Sequence, residues 1–154
     1  MQHKILYAKT PFEQIQIFCE MAEDYQGDFQ FPEMKKFLTM DFKNVCAFLR
    51  SKYLREQGEQ ILRPYYFYKI GSDCDDAFCF MVALWLAAGV PKSDIYVCEA
   101  KERQTDKNYC HIFAALKDPK SGKMIWFDNL PGTEFNRLDY PLSRVRVTPL
   151  TDYI

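Results

Sequence analysis

The chain has 154 residues, 20 of them basic and 21 acidic, for a formal charge of −1, and this balance excludes the positive footprint of a general nucleic-acid binder. Aromatic residues make up 16% of the chain (13 Phe, 10 Tyr and 2 Trp), which excludes disorder, and 6 Gly with 8 Pro exclude a collagen-like or linker composition. The length suits one domain spanning 1–154.

The amino terminus, MQHKILYAKTPFEQ, has no apolar core of a secretory signal, and the strongest apolar run, Ala77 to Val90, is too short to span a bilayer. These features predict a cytoplasmic protein that engages no membrane and no nucleic acid. The six cysteines, at 19, 46, 74, 79, 98 and 110, then read as reduced thiols in preference to a disulfide framework.

Thr10-Pro11-Phe12-Glu13 is a helix start: Thr10 caps, Pro11 suits the first helical position and Glu13 completes a capping box. The spacing predicts a helix to about Glu23, with Ile15, Phe18, Cys19 and Ala22 on one stripe. Asp41 caps a second expected helix over Phe42 to Gln57, closed by Gly58, with Val45, Phe48, Leu49 and Tyr53 on its apolar face. The stretch ILRPYYFYKIG reads as an aromatic connector, its Pro and Gly arguing against a helix. A third helix, starting between Ser72 and Cys74 and ending at Gly89-Val90-Pro91, is apolar almost all round and therefore central.

Strand patterns follow at Ile95 to Ala100, Tyr109 to Leu116, Lys123 to Leu130 and Arg144 to Thr148. The Asp118-Pro119-Lys120-Ser121-Gly122 segment turns the middle pair into a hairpin. Helices first and an antiparallel sheet second make an α+β arrangement.

Chemistry concentrates at Cys74. The amino end of a helix offers free N–H groups and positive dipole, which favour a thiolate and a developing oxyanion. Asp73, Asp75 and Asp76 suit a helix start but oppose that thiolate, so a basic partner is needed. His111 is the plausible one of the two histidines, because His3 lies near the terminus. A hairpin centred between Pro119 and Lys120 sets Phe113 opposite Trp126 and His111 opposite Asp128, where the carboxylate orients the imidazole towards Cys74. The three acids lack the spaced acceptors of a calcium loop, and Cys98, Cys110 and His111 lack a C-x₂-C pair, so neither reads as a metal site. Cys19, Cys46 and Cys79 read as core.

The segment GSDCDDAFCFMVALWLAAGVP resembles the cysteine box of the transglutaminase-like superfamily. YCHIFAAL and MIWFDNLPG are similar to its histidine and aspartate strands, in the same order, so that the resemblance covers Asp41 to Gly132. It implies a papain-like fold in which a Cys-bearing helix packs on a C-terminal antiparallel sheet. It also implies a cysteine protease, hydrolase or acyltransferase acting on a peptide or glutamine amide, without a cofactor or metal. Cys74 would be the nucleophile, His111 the base and Asp128 the orienter. Tyr68, with Tyr66 and Tyr65, and Asp73 are the candidates for oxyanion or substrate binding. Ala77 stands where relatives often carry His, and Ser72 where they carry Gly. The alternative is an inert fold of this type serving as an assembly protein, with protein partners and a place in a phage virion or the host cytoplasm. The Tyr65–Tyr68 strip and the Phe29/Phe31 segment exceed what a small core needs and are expected to face a substrate or partner.

Overall fold

Thr10 starts the first helix as its sequence demands. The computed structural model describes residues 3–5, 10–54 and 60–154. In it the Thr10 hydroxyl accepts from the Glu13 N–H at 3.2 Å, with Pro11 in the first turn of α1 (Pro11–Asp24). Ile15, Phe18, Cys19, Met21 and Ala22 form its buried stripe, which lies along α4 (Cys74–Ala87).

The second helix, α2 (Phe42–Ser51), begins as expected, with Asp41 accepting from the Lys43 N–H at 3.1 Å. It stops at Ser51, well before Gln57. The chain leaves the helix to bridge the start of α4: Ser72 N–H donates to the Lys52 carbonyl at 3.1 Å, and Leu54 N–H donates to the Ser72 carbonyl at 2.7 Å. Those bonds, and a parallel bridge between Tyr53 and Ser72, compete with helix continuation and carry Tyr53 towards Cys74. Gly71 makes the approach possible. Its φ is +71°, and a Cβ there would overlap the Lys52 carbonyl oxygen. The expected stop at Gly58 lies outside the described residues.

Three elements were not legible in the pattern. β1 (His3–Ile5) pairs antiparallel with β2 (Gln60–Leu62), and α3 (Pro64–Ile70) occupies the stretch read as a connector. Pro64 stands at the first helical position, where its missing N–H costs nothing, and Gly71 follows the last helical residue. The two supposed breakers are therefore boundary signals.

Every residue of α4 from Asp76 to Trp85 is buried, as a helix apolar on all sides requires. The Phe80 ring meets Phe29, Phe37, Phe48 and Phe67 with centroids 5.1 to 5.6 Å apart. Much of the aromatic excess is thus core: Phe29 is fully buried, and Tyr68 packs against Phe37 and Phe48.

The sheet is antiparallel, in the order β5 (Met124–Phe127), β4 (His111–Lys117), β3 (Ile95–Ala100), β6 (Val145–Pro149). The α+β reading therefore holds: the described residues form four α-helices and a four-stranded antiparallel sheet, beside the β1–β2 pair. The register differs from the expected one by two residues. Trp126 pairs with Ala115 and Phe127 with Ala114, so Phe113 and Trp126 are not directly opposed. A hydrogen bond from Gly122 N–H to the Asp118 carbonyl at 2.7 Å, with Gly122 at φ +71°, sets the turn one position later than assumed. One face of the sheet, with Val97, Ile112, Ala114 and Phe127, joins the core around α4. The other carries Cys98, Ala100, Phe113 and Ala115 beneath Trp126, Leu138 and Tyr140. Among the described residues no helix is long and apolar enough to cross a membrane.

Candidate active site

Cys74 is the first residue of α4. Asp73 caps the helix, its carboxylate accepting from the Asp75 N–H at 3.2 Å. Asp76 faces inward and accepts from the Leu62 N–H at 2.6 Å, so it ties β2 to the nucleophile's helix.

His111 opens β4 and is buried. Its Nε2 lies 2.7 Å from Asp128 Oδ1, just beyond the end of β5. The same carboxylate oxygen accepts from the Leu130 N–H at 3.1 Å. An accepting carboxylate places the ring proton on Nε2 and leaves Nδ1 as the basic nitrogen. The imidazole stacks on Phe113 with centroids 5.4 Å apart, and Tyr140 continues the stack.

Asn129 joins the helix to the sheet. Its amide donates to the Cys74 carbonyl at 3.4 Å and to the Ile112 carbonyl at 3.2 Å. Cys74, His111, Tyr53 and Tyr140 share the wall of one pocket of about 340 Å³, completed by Glu102, Cys110 and Leu130. A second pocket of about 250 Å³ reaches His111 and Cys110 from the α1 side, past Asp75, Glu99 and Tyr109.

The geometry joins His111 to Asp128 directly, but not Cys74 to His111. The Cys74 thiol donates to Asp75 Oδ1 at 3.6 Å. Burial pushes the thiol well above its usual range, and the charges of Asp75 and Asp73 push the same way. The Ile112 N–H beside the sulfur pulls it down. By strand alternation His111 belongs with Phe113 on the face away from α4, so sulfur and imidazole reach the pocket from opposite sides of the start of β4.

Asp73 therefore sits beside Cys74 as a cap, and the three tyrosines sit elsewhere. Tyr65 donates its hydroxyl to Glu33 at 2.9 Å and packs at a tilt against Phe31, Tyr66 packs edge-on to Tyr65, and Tyr68 faces the core. None of them lines the pocket that holds Cys74. The tyrosines that do, Tyr53 and Tyr140, have no signal in the pattern around the cysteine box; only the bridge to Ser72 and the stack on Phe113 deliver them. Asn129 and Cys110 are direct neighbours of Asp128 and His111, and adjacency was the available clue. Among the described residues no group of three or more His, Cys, Asp or Glu side chains is placed to hold a metal ion, and all six cysteines are free. In comparisons with known proteins, no family model, no curated protein and no solved structure matches the chain.

Proposed function

We propose that the chain is a transglutaminase-like cysteine enzyme of papain-like design, acting on a peptide or glutamine amide. The observation that carries the reading is the buried His111–Asp128 pair opening onto the same pocket as a cysteine at the first position of the central helix. His111 Nδ1 takes the thiol proton and the sulfur attacks the amide carbonyl. The oxyanion develops beside the N–H groups that begin α4, and the imidazolium returns the proton to the departing amine. The resulting thioester passes its acyl group to water or to an amine. Reaching the competent state requires the sulfur to exchange Asp75 for the imidazole. Forming the ion pair offsets the burial that disfavours a lone thiolate.

The Cys74–Asp75 contact and the upward-shifted thiol favour a second reading, an inert fold of this type used for assembly. Alkylation of Cys74 by iodoacetamide across pH separates the two. The enzyme reading expects a reactive fraction well below the ordinary thiol pKa of about 8.5, lost in His111→Ala. A thiol that reacts only at high pH, with or without His111, overturns it and leaves the assembly role.

A further inference from the structure

The pocket beside Cys74 has a composition that its proposed chemistry does not require. Its walls carry two aromatic side chains, Tyr53 and Tyr140, one aliphatic, Leu130, and one carboxylate residue, Glu102. Among the described residues that line it, none is a lysine or an arginine. The Arg144 guanidinium is engaged with the Glu102 carbonyl oxygen, and among the described ion pairs none joins it to the Glu102 carboxylate. Burial, reinforced by the charge of Asp128, pushes the Tyr140 phenol up to about 12, so at neutral pH it presents a neutral ring.

The other pocket is built differently. Its carboxylate Glu99 is taken by Arg146 through two bonds of 3.0 and 2.8 Å, and its Tyr109 ring is covered by Arg146 and Lys101. Basic groups therefore crowd that side of His111, whereas among the described residues none lines the wall on the Cys74 side, Arg144 being turned to the Glu102 backbone.

We propose that the pocket formed by Tyr53, Glu102, Leu130 and Tyr140 is a recognition site for a cationic side chain, of lysine or arginine type, carried next to the group that Cys74 attacks. Aromatic faces attract a cation through their quadrupole, and a carboxylate at the rim completes the recognition. A volume of about 340 Å³ accommodates one long side chain. The inference deepens the enzyme reading and rests on it for the reaction, but the charge preference is measurable without turnover.

The test uses Cys110→Ser protein, because Cys110 is an exposed thiol that lines the same pocket as the partly buried Cys74. Three methanethiosulfonates of similar size modify Cys74: aminoethyl (cationic), sulfonatoethyl (anionic) and methyl (neutral). In each, the sulfur forms a disulfide and expels methanesulfinate. Rates are divided by those of the same reagents on the urea-unfolded chain. One more attractive charge, added to those of Asp73 and Asp75 beside the sulfur, predicts a normalised cation-over-anion preference of about tenfold or more, falling severalfold in Glu102→Gln. A ratio near one, a ratio indifferent to Glu102→Gln, or a Cys74 unreachable by all three reagents overturns the proposal. Peptide amides bearing Lys, Gln or Glu beside the attacked carbonyl separate the two claims. Turnover without preference for Lys refutes the recognition site and leaves the enzyme. Charge-selective labelling with no turnover of any amide refutes the enzyme and leaves the cation site.

Discussion

His111 Nε2 and Asp128 Oδ1 meet at 2.7 Å although the two residues are not opposed in the β4–β5 ladder. The observed register, continued one position past the strand, brings Asp128 opposite Phe113, diagonal to His111. A slip of two residues preserves the face on which each side chain lies, whereas a slip of one inverts it. Moving the turn centre by one position slips the register by two residues, so both side chains keep their face and the pair survives. Since Asp128 lies beyond the last residue of β5, the backbone there is free to close the diagonal gap.

Replacing Asp128 with Asn keeps the shape but offers the ring a different hydrogen-bonding partner. If His111 acts as base, Asp128→Asn lowers Cys74 reactivity or turnover at least about a hundredfold while the fold is retained. Stopped alkylation assays alongside circular dichroism read both; unchanged reactivity removes Asp128 from the mechanism.

Asn129 is the clamp between the two halves of the site. Asn129→Ala leaves the Cys74 and Ile112 carbonyls without their buried donor, at an expected cost of about 1–3 kcal/mol. Thermal melting should record this as a fall of roughly 2–4 °C per kcal/mol for a chain of this size.

Gly71 has no tolerant substitute. Gly71→Ala places a side chain at φ +71° against the Lys52 carbonyl, and a loss of at least about 2 kcal/mol is expected. Urea denaturation should show a lowered midpoint. A neutral outcome means that the 52–54 and 72 backbone contacts are not formed in solution.

Asp28 is almost fully buried and holds the Arg63 guanidinium, at 2.9 Å through Nε, together with the Tyr65 N–H at 3.0 Å. This carboxylate pins the start of α3 to the turn after α1. Asp28→Ala strands the cation and the amide, for an expected loss of roughly 3–5 kcal/mol. Arg63→Met with Asp28→Leu should recover part of it, because an apolar pair removes both charges.

Stability should fall in alkali. Burial raises Cys19, Cys79 and Cys98 well above their usual range and Cys46 to about 12. A folded-state pKa above the unfolded one stabilises fully below the unfolded value and is lost as pH rises through it. Each such thiol should therefore remove roughly 1.4 kcal/mol per pH unit above about 8.5. Urea midpoints flat from pH 7 to 8 and falling towards pH 10 are expected, with a shallower slope in Cys46→Ala.

Elements whose causes are local were legible in the amino-acid order. Thr10, Pro11 and Glu13 write the start of α1 within four residues; Asp41 does so for α2 and Asp73 for α4. The all-round apolarity of Ala77 to Trp85 makes that helix central without reference to any partner. The four strands of the main sheet were readable as short apolar runs between turns, although β5 ends at Phe127 and not at Leu130, and the His111–Asp128 pair was readable from residue type and order.

What tertiary structure alone decided depends on groups far apart in the chain. Ser72 draws residues 52–54 out of α2, and Asp28 anchors the first turn of α3. Tyr53 and Tyr140 reach the Cys74 pocket from distant segments, while Tyr65, Tyr66 and Tyr68 do not. The partner of the Cys74 proton belongs here too. Sequence order supplies both an acid next door and a histidine across the sheet. Which of them the sulfur meets is set by the helix start relative to the first residues of β4, a relation of packing that no local spacing encodes.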